Sequence, residues 1–232
     1  MKTLKSIMNR ALDDGYLNGS LPYGRRGYLI PQGSARKMAL TKDQIKRLMD
    51  FTGDSKLEKY RDLWLFSYLC NGINFKDMLL LRHRNVENGE ICFIRSKTES
   101  AYRISKVVRA VVTPEMSDII SKWGNPVGCG PDSYIFPYAN GVEGDIAIAN
   151  MVRKVICQCN IALGQIAEKL DIPKFTTYAA RHSFATILMK SGVNIKFISE
   201  SLGHSSLSVT ENYLAEFDYE DRKRNAAFLT DL

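Results

Sequence analysis

The chain has 232 residues, 45% of them hydrophobic, and carries 32 Lys and Arg against 25 Asp and Glu for a formal charge of +7. That length holds one well-cored domain plus an appendage, and the basic excess suits a polyanionic partner without specifying one. No apolar run reads as long enough to span a bilayer and no secretory leader is read, so no membrane partner and a cytoplasmic location are expected.

From the N-terminus, LKSIMNRALDDGYL has helical spacing, with Leu4, Ile7, Met8, Ala11 and Leu12 on one face. The run NGSLPYGRRGYLIPQGSARK that follows is rich in Gly, Pro and basic residues and reads as a linker over 18–40 or a strap. Thr41 is a natural N-cap for TKDQIKRLMDF. Further on, GEICFIRSKTESAYRISKVV holds two strand-like runs. Asn88-Gly89 precedes them as a hairpin turn, and Ile91, Phe93, Ile104, Val107 and Val108 are β-formers. Thr113-Pro114 predicts a helix through Trp123, because proline suits a first helical turn. NPVGCGPDSYIFPY reads as a Gly/Pro loop, and Asp145 to Leu170 as a long helix.

The richest stretch is 176–217, TTYAARHSFATILMKSGVNIKFISESLGHSSLSVTENYLAEF. Thr176 or Thr177 is expected to cap a helix that carries Arg181. Phe184, Ile187 and Leu188, then Ile195, Phe197, Ile198 and Leu202, recur at helical spacing, with Ser191-Gly192 as the break between two short helices. Gly203-His204 stops the second, and Ser205, Ser206 or Ser208 is expected to cap a third helix bearing Tyr213. The tail DYEDRKRNAAFLTDL is a charged amphipathic helix with Ala226, Ala227, Phe228 and Leu229 apolar. Five cysteines, an odd number without Cys-x-x-Cys spacing, and only three histidines point to reduced buried thiols rather than disulfides or zinc.

Taken singly, these polar residues have bland readings. A helical tyrosine is usually packed, a Gly-His turn can merely end a helix, and an arginine is usually solvated. The ordered set of Arg181, Leu202-Gly203-His204 and Tyr213 resembles the C-terminal signature of the tyrosine recombinases, the phage-integrase family. The resemblance implies a mainly α fold with a small antiparallel β-sheet (α+β). It also implies double-stranded DNA as partner, a homo-oligomer that is a tetramer on DNA, and strand cleavage and rejoining through a covalent 3'-phosphotyrosine, with no cofactor and no metal. In organisation it implies that residues 1–17 are the last helix of a truncated core-binding domain, 18–40 a linker and 41–232 the catalytic domain. It further suggests that the tail packs on a neighbouring protomer, although packing on its own domain is an equal alternative.

Carried over residue by residue, the resemblance makes Tyr213 the nucleophile, Arg181 and His204 clamps on the phosphate, and Lys97 the hairpin lysine that protonates the leaving oxygen. Two positions depart from the pattern. Tyr178, three before Arg181, stands where the family usually has histidine, and a phenol with a reference pKa near 10 is a poor near-neutral base. In RDLWLFSYLCNGINFKDMLLLRHRNV, Gly72-Ile73-Asn74 with Asp77 fits the frame of the first catalytic arginine, so Asn74 stands where that arginine is expected. An amide offers hydrogen bonds but neither charge nor a five-donor fork. Arg61, Arg82, Arg84 or Arg95 is therefore a candidate for the missing guanidinium. The expected function is a site-specific recombinase of a mobile element. The alternatives are a DNA-binding relative without cleavage and, within the enzyme class, a type IB topoisomerase-like activity.

Overall fold

The computed structural model describes residues 1–23, 27–30, 38–96, 106–204, 207–211, 222, 223 and 226. The chain divides into two compact units, Met1–Arg36 and Lys37–Leu232. In the first unit, α1 (Lys2–Asp13) is followed by Gly15 in the left-handed region, and Arg10 and Asp14 pair one turn apart at 3.6 Å. Leu4 and Ile7 on its apolar side are exposed.

The second unit is mainly helical with one three-stranded antiparallel sheet. Its first helix, α2 (Lys42–Met49), opens with a complete capping box: the Thr41 side chain accepts from the Gln44 amide while Gln44 accepts from the Thr41 amide. Asp54 caps α3 (Ser55–Leu69) with its side chain alone, Oδ1 accepting from the Leu57 amide at 2.9 Å. Apolar side chains occur all round α3, the pattern of a helix enclosed by neighbours, and Leu63, Trp64 and Phe66 are fully buried. The short α4 (Phe75–Leu79) follows.

The sheet runs β1 (Val86–Glu87), β2 (Glu90–Ile94) and β3 (Val107–Val111) in spatial order. Asn88 and Gly89 both have positive φ, 51° and 78°, the geometry of a tight hairpin turn that matches strand twist. Ile91 pairs with Ala110 and Phe93 with Val108, which puts these four on the buried face, while Ile94, Val107 and Val111 alternate outward. Lys97 and Ile104 lie outside the described residues.

Thr113 caps α5 (Pro114–Trp123), with its hydroxyl accepting from the Met116 amide. The long helix α6 (Asp145–Lys169) crosses α3, where Tyr60 Oη donates to Gln158 Oε1 at 2.8 Å and Val155, Cys159 and Leu163 enter the core. By length and composition alone α6 is long and apolar enough to cross a membrane. This corrects the sequence expectation, which missed the segment because charges at 153–154 and 168–169 break its apolar run. Its apolar stripe is taken up by the core.

Three helices close the described unit: α7 (Ala179–Lys190), α8 (Ile195–Ser201) and α9 (Leu207–Glu211). The expected side-chain cap by Thr176 or Thr177 does not form. The Thr177 amide is instead taken by Asn160 Oδ1 at 2.8 Å, and α7 starts at Ala179 from a turn in which the Thr176 and Thr177 carbonyls accept. Phe197, expected on the apolar stripe of α8, is 55% exposed, while Ile198 and Leu202 pack with Phe184 and Ala185. The cysteines are free, as expected, but only Cys70 and Cys159 are buried, and Cys129 and Cys157 are exposed. Burial pushes the Cys70 and Cys159 thiols far up, which leaves them protonated and inert. The tail helix expected over 218–232 and the Ser205 and Ser206 caps fall largely or wholly outside the described residues.

Candidate active site

The first eight residues of α7, from Ala179 to Thr186, are all buried. Ala179 and Ala180 are small enough to bring the helix backbone close to the turn between α3 and α4, where Gly72 has φ 63°. A Cβ at Gly72 would lie 2.7 Å from the Arg181 Cα, so only glycine fits there. Arg181, 3% exposed, uses that proximity: its Nη1 donates to the Gly72 carbonyl at 3.0 Å. Its Nη2 donates to the Leu202 carbonyl and lies 3.0 Å from His204 Nε2.

Leu202 and Gly203 follow α8, and their carbonyls are among those a helix end leaves without an intrahelical donor. Such an end carries partial negative charge and attracts cations. Packing of Ile198 and Leu202 against Phe184 fixes this end over Arg181; each fully buried side chain of this size is worth about 2 kcal/mol. Gly203 has φ 62°, and the chain turns there to deliver His204.

His204 is 5% exposed and bridges two elements, with Nε2 toward Arg181 and Nδ1 2.9 Å from Thr210 Oγ1 on α9. A guanidinium only donates, so Nε2 must accept, and the ring proton sits on Nδ1 and is given to Thr210. Burial, then the charges of Arg181 and Arg95, push the His204 pKa down to about 3. The sequence reading made His204, like Arg181, a clamp on the phosphate. The structure makes it a neutral imidazole that holds the guanidinium, so the positive charge at this point is the arginines' alone.

The second arginine is Arg95, 7% exposed at the end of β2. Its Nη1 donates to the Leu202 carbonyl at 3.1 Å and approaches the Gly203 carbonyl at 3.4 Å, so one carbonyl oxygen receives both guanidinium groups. Two donors on one acceptor stand no more than about 6 Å apart. At that distance, with an effective dielectric of about 20, two positive charges repel by roughly 3 kcal/mol, and an anion between them reverses the sign. The next residue, Ser96, is tied down by Asp77, whose Oδ1 accepts from the Ser96 hydroxyl at 2.6 Å and its amide at 3.2 Å.

The remaining candidates are distributed as follows. Asn74 is half-buried at the start of α4, two residues after the carbonyl that Arg181 grips, and its side chain does not cap the helix. Tyr178, at the entrance to α7, is 51% exposed and packs edge-on against the His182 ring at 4.8 Å. Arg82 donates to the Asp132 carbonyl and the Tyr134 hydroxyl, Arg84 pairs with Asp132 at 2.6 Å, and Arg61 pairs with Asp62 at 2.6 Å. Of the four candidate arginines, Arg95 is the one in hydrogen-bond contact with a group that Arg181 also holds. Lys97 and Tyr213 lie outside the described residues. Among the described residues no group of three or more His, Cys, Asp or Glu is placed to hold a metal ion. Sequence reasoning passed over Thr210, fully buried, and the Asp77–Ser96 pair; neither has a local signal, since each partner is met only through the fold.

A family model described as the phage integrase family matches residues 38–220. Among curated relatives, a tyrosine recombinase of Pseudothermotoga lettingae is 27% identical over 184 residues, covering 78% of this chain and 57% of its own length. A tyrosine recombinase XerC-like protein of Caldanaerobacter subterraneus subsp. tengcongensis is 30% identical over an alignment of 258 residues, covering 99% of this chain and 64% of its own. The chain thus spans less than two thirds of the length of these two relatives. Among solved structures, XerA recombinase superposes with a TM-score of 0.56 at 19% identity, covering 85% of this chain and 65% of that one. The Tn1549 transposon integrase in complex with a circular intermediate DNA gives 0.60 at 16% identity, covering 97% and 76%. Those two similarities are of fold.

Proposed function

The chain belongs to the phage integrase family, and from that premise we propose that it is a site-specific DNA recombinase, which cleaves and rejoins strands to integrate or excise a mobile element. The observation that carries this reading is the buried contact of Arg181 with His204, flanked by Arg95, in the order and spacing of the family signature. Tyr213 follows Thr210 by three residues and Lys97 follows Arg95 by two, a chain reach of roughly 11 and 7 Å at most. Covalent connectivity therefore tethers both to the cluster.

In the proposed reaction the Tyr213 phenolic oxygen attacks the scissile phosphorus and the bond from phosphorus to the 5' oxygen breaks. A 3'-phosphotyrosine forms, and the electron pair leaves with the 5' oxygen. That oxygen takes up a proton from Lys97, matched by the one the phenol gives up, so the step is neutral in protons and exchanges one phosphodiester for another. Attack by a 5' hydroxyl of a partner strand reverses it. Charge that builds on the phosphoryl oxygens is met by Arg181, held in place by neutral His204. Exchange between two duplexes needs more than one such site, hence a homo-oligomer, a tetramer on DNA. Chromosomal or element DNA as substrate implies action in the cytoplasm.

The experiment uses the full chain and a pool of nicked duplexes of randomised sequence, with covalent protein–DNA adducts recovered under denaturing conditions. The expected result is an adduct enriched in one sequence and absent with Tyr213→Phe. DNA binding without any adduct would leave the non-cleaving relative as the correct reading.

A further inference from the structure

We propose that Arg95 supplies the second guanidinium of the phosphate site, standing in for the charge that position 74 lacks. This rests on the recombinase reading and deepens it by naming a residue of the same site. Two observations carry it. Arg95 and Arg181 come from different elements, one at the end of β2 and the other in the first turn of α7, and meet on the Leu202 carbonyl. Each has a glycine of positive φ against it. Gly72 abuts the Arg181 backbone, and Gly203 lies under the Arg95 stem, where a Cβ would come within 2.9 Å of Arg95 Cδ.

The chemistry follows from the donor count. A guanidinium has five N–H groups in a fixed plane, and a phosphodiester in its transition state presents charged equatorial oxygens. Two guanidinium groups within about 6 Å of one another can hold two such oxygens at once, which a single arginine and an amide cannot match in charge. Asp77 assists as a positioning residue: by fixing Ser96 it sets the direction in which the chain leaves Arg95. The other candidate arginines are held elsewhere, Arg61 by Asp62, Arg84 by Asp132 and Arg82 over the Tyr134 ring.

The test is single-turnover cleavage by full-length Arg95→Ala on the duplex that wild type selects from the randomised pool. A second substrate carries a neutral methylphosphonate at the scissile position. Loss of one such electrostatic donor predicts a drop of roughly a hundredfold on the phosphate substrate. On the methylphosphonate, where there is less charge to neutralise, the drop should shrink to a few-fold. Arg95→Lys keeps the stem and the charge, and serves if the alanine variant does not fold; it should lose activity by a smaller factor on the phosphate substrate, again with recovery on the neutral one. Wild-type rates for Arg95→Ala, or equal losses on both substrates for the variant that folds, overturn the proposal, the latter because Arg95 would then only tie down the end of α8. If Tyr213→Phe still forms the adduct, the recombinase reading itself fails; if Tyr213→Phe is silent while Arg95 passes through either overturning result, only the assignment of Arg95 fails.

Discussion

His204 is held far from its ordinary chemistry, first by burial and then by the charges of Arg181 and Arg95. A protonated ring would set a third positive charge beside Arg181 and Arg95 and would deprive Arg181 of its acceptor at Nε2. The folded pKa, pushed down to about 3, lies well below the ordinary value of 6.5, so between these two values the unfolded chain binds a proton that the folded chain does not. Stability from this group is therefore full above pH 6.5 and is lost as pH falls toward 3. At pH 5 the loss attributable to His204 should be about 2 kcal/mol. Denaturant melts at pH 7.5 and pH 5 check this: His204→Gln should be less stable than wild type at pH 7.5 but should lose about 2 kcal/mol less on acidification. Parallel losses in the two proteins would mean that His204 is protonated normally in the fold. Nothing in the Leu-Gly-His triplet announces this neutrality, because the burial that chiefly causes it is made by the fold and the charges that add to it come from residues 23 and 109 positions away.

At the scale of elements, boundaries written in adjacent residues were legible. The Thr41 cap, the Thr113-Pro114 start, the Asn88-Gly89 turn and the glycine stop at Gly203 are all local, and the structure has each of them. The cap expected at Thr176 or Thr177 failed because a turn whose amide at Thr177 is held by Asn160, from a different helix, moves the helix start on to Ala179 and leaves Tyr178 at the cap position. The meeting of β2 with the end of α8 was illegible for the same reason: Arg95 and Leu202 are 107 positions apart, and no periodicity spans that interval. Gly203 makes this junction testable against Gly192, the glycine at the other end of α8. Both have positive φ, 62° and 78°, yet a Cβ at Gly192 meets nothing within 4 Å, whereas one at Gly203 would sit 2.7 Å from Val108 Cγ2. Gly192→Ala should cost about 1 kcal/mol of backbone strain and leave cleavage intact. Gly203→Ala should cost more, because β3 and Arg95 must give way, and should also reduce cleavage; equal melting shifts and equal activity in the two variants would show that the contact does not matter.

For the molecule as a whole, composition is compatible with the proposed DNA partner without selecting it. A charge of +7 cannot distinguish a nucleic-acid enzyme from any other basic protein, and the family match is what makes a phosphate backbone the relevant polyanion. The charges nevertheless divide into two kinds with different salt behaviour. Exposed cations such as Lys76 and Arg109, the latter in a surface pair with Glu90 at 3.4 Å, would act by displacing counterions from DNA, while Arg95 and Arg181 lie buried and are already engaged with carbonyl oxygens. Binding to duplex of arbitrary sequence should therefore fall linearly in a plot of log affinity against log salt, with a slope of about −0.9 for each phosphate contacted. Neutralising an exposed contact, for instance Arg109→Gln, should take at most about one unit off that slope. Arg95→Ala should leave the slope within error of wild type while it lowers the cleavage rate, because a guanidinium committed to the scissile phosphate contributes where charge develops rather than along the whole backbone. Titrations of affinity between 50 and 200 mM salt would measure both, and a slope that flattens in Arg95→Ala by as much as in Arg109→Gln would mean that Arg95 is an ordinary backbone contact.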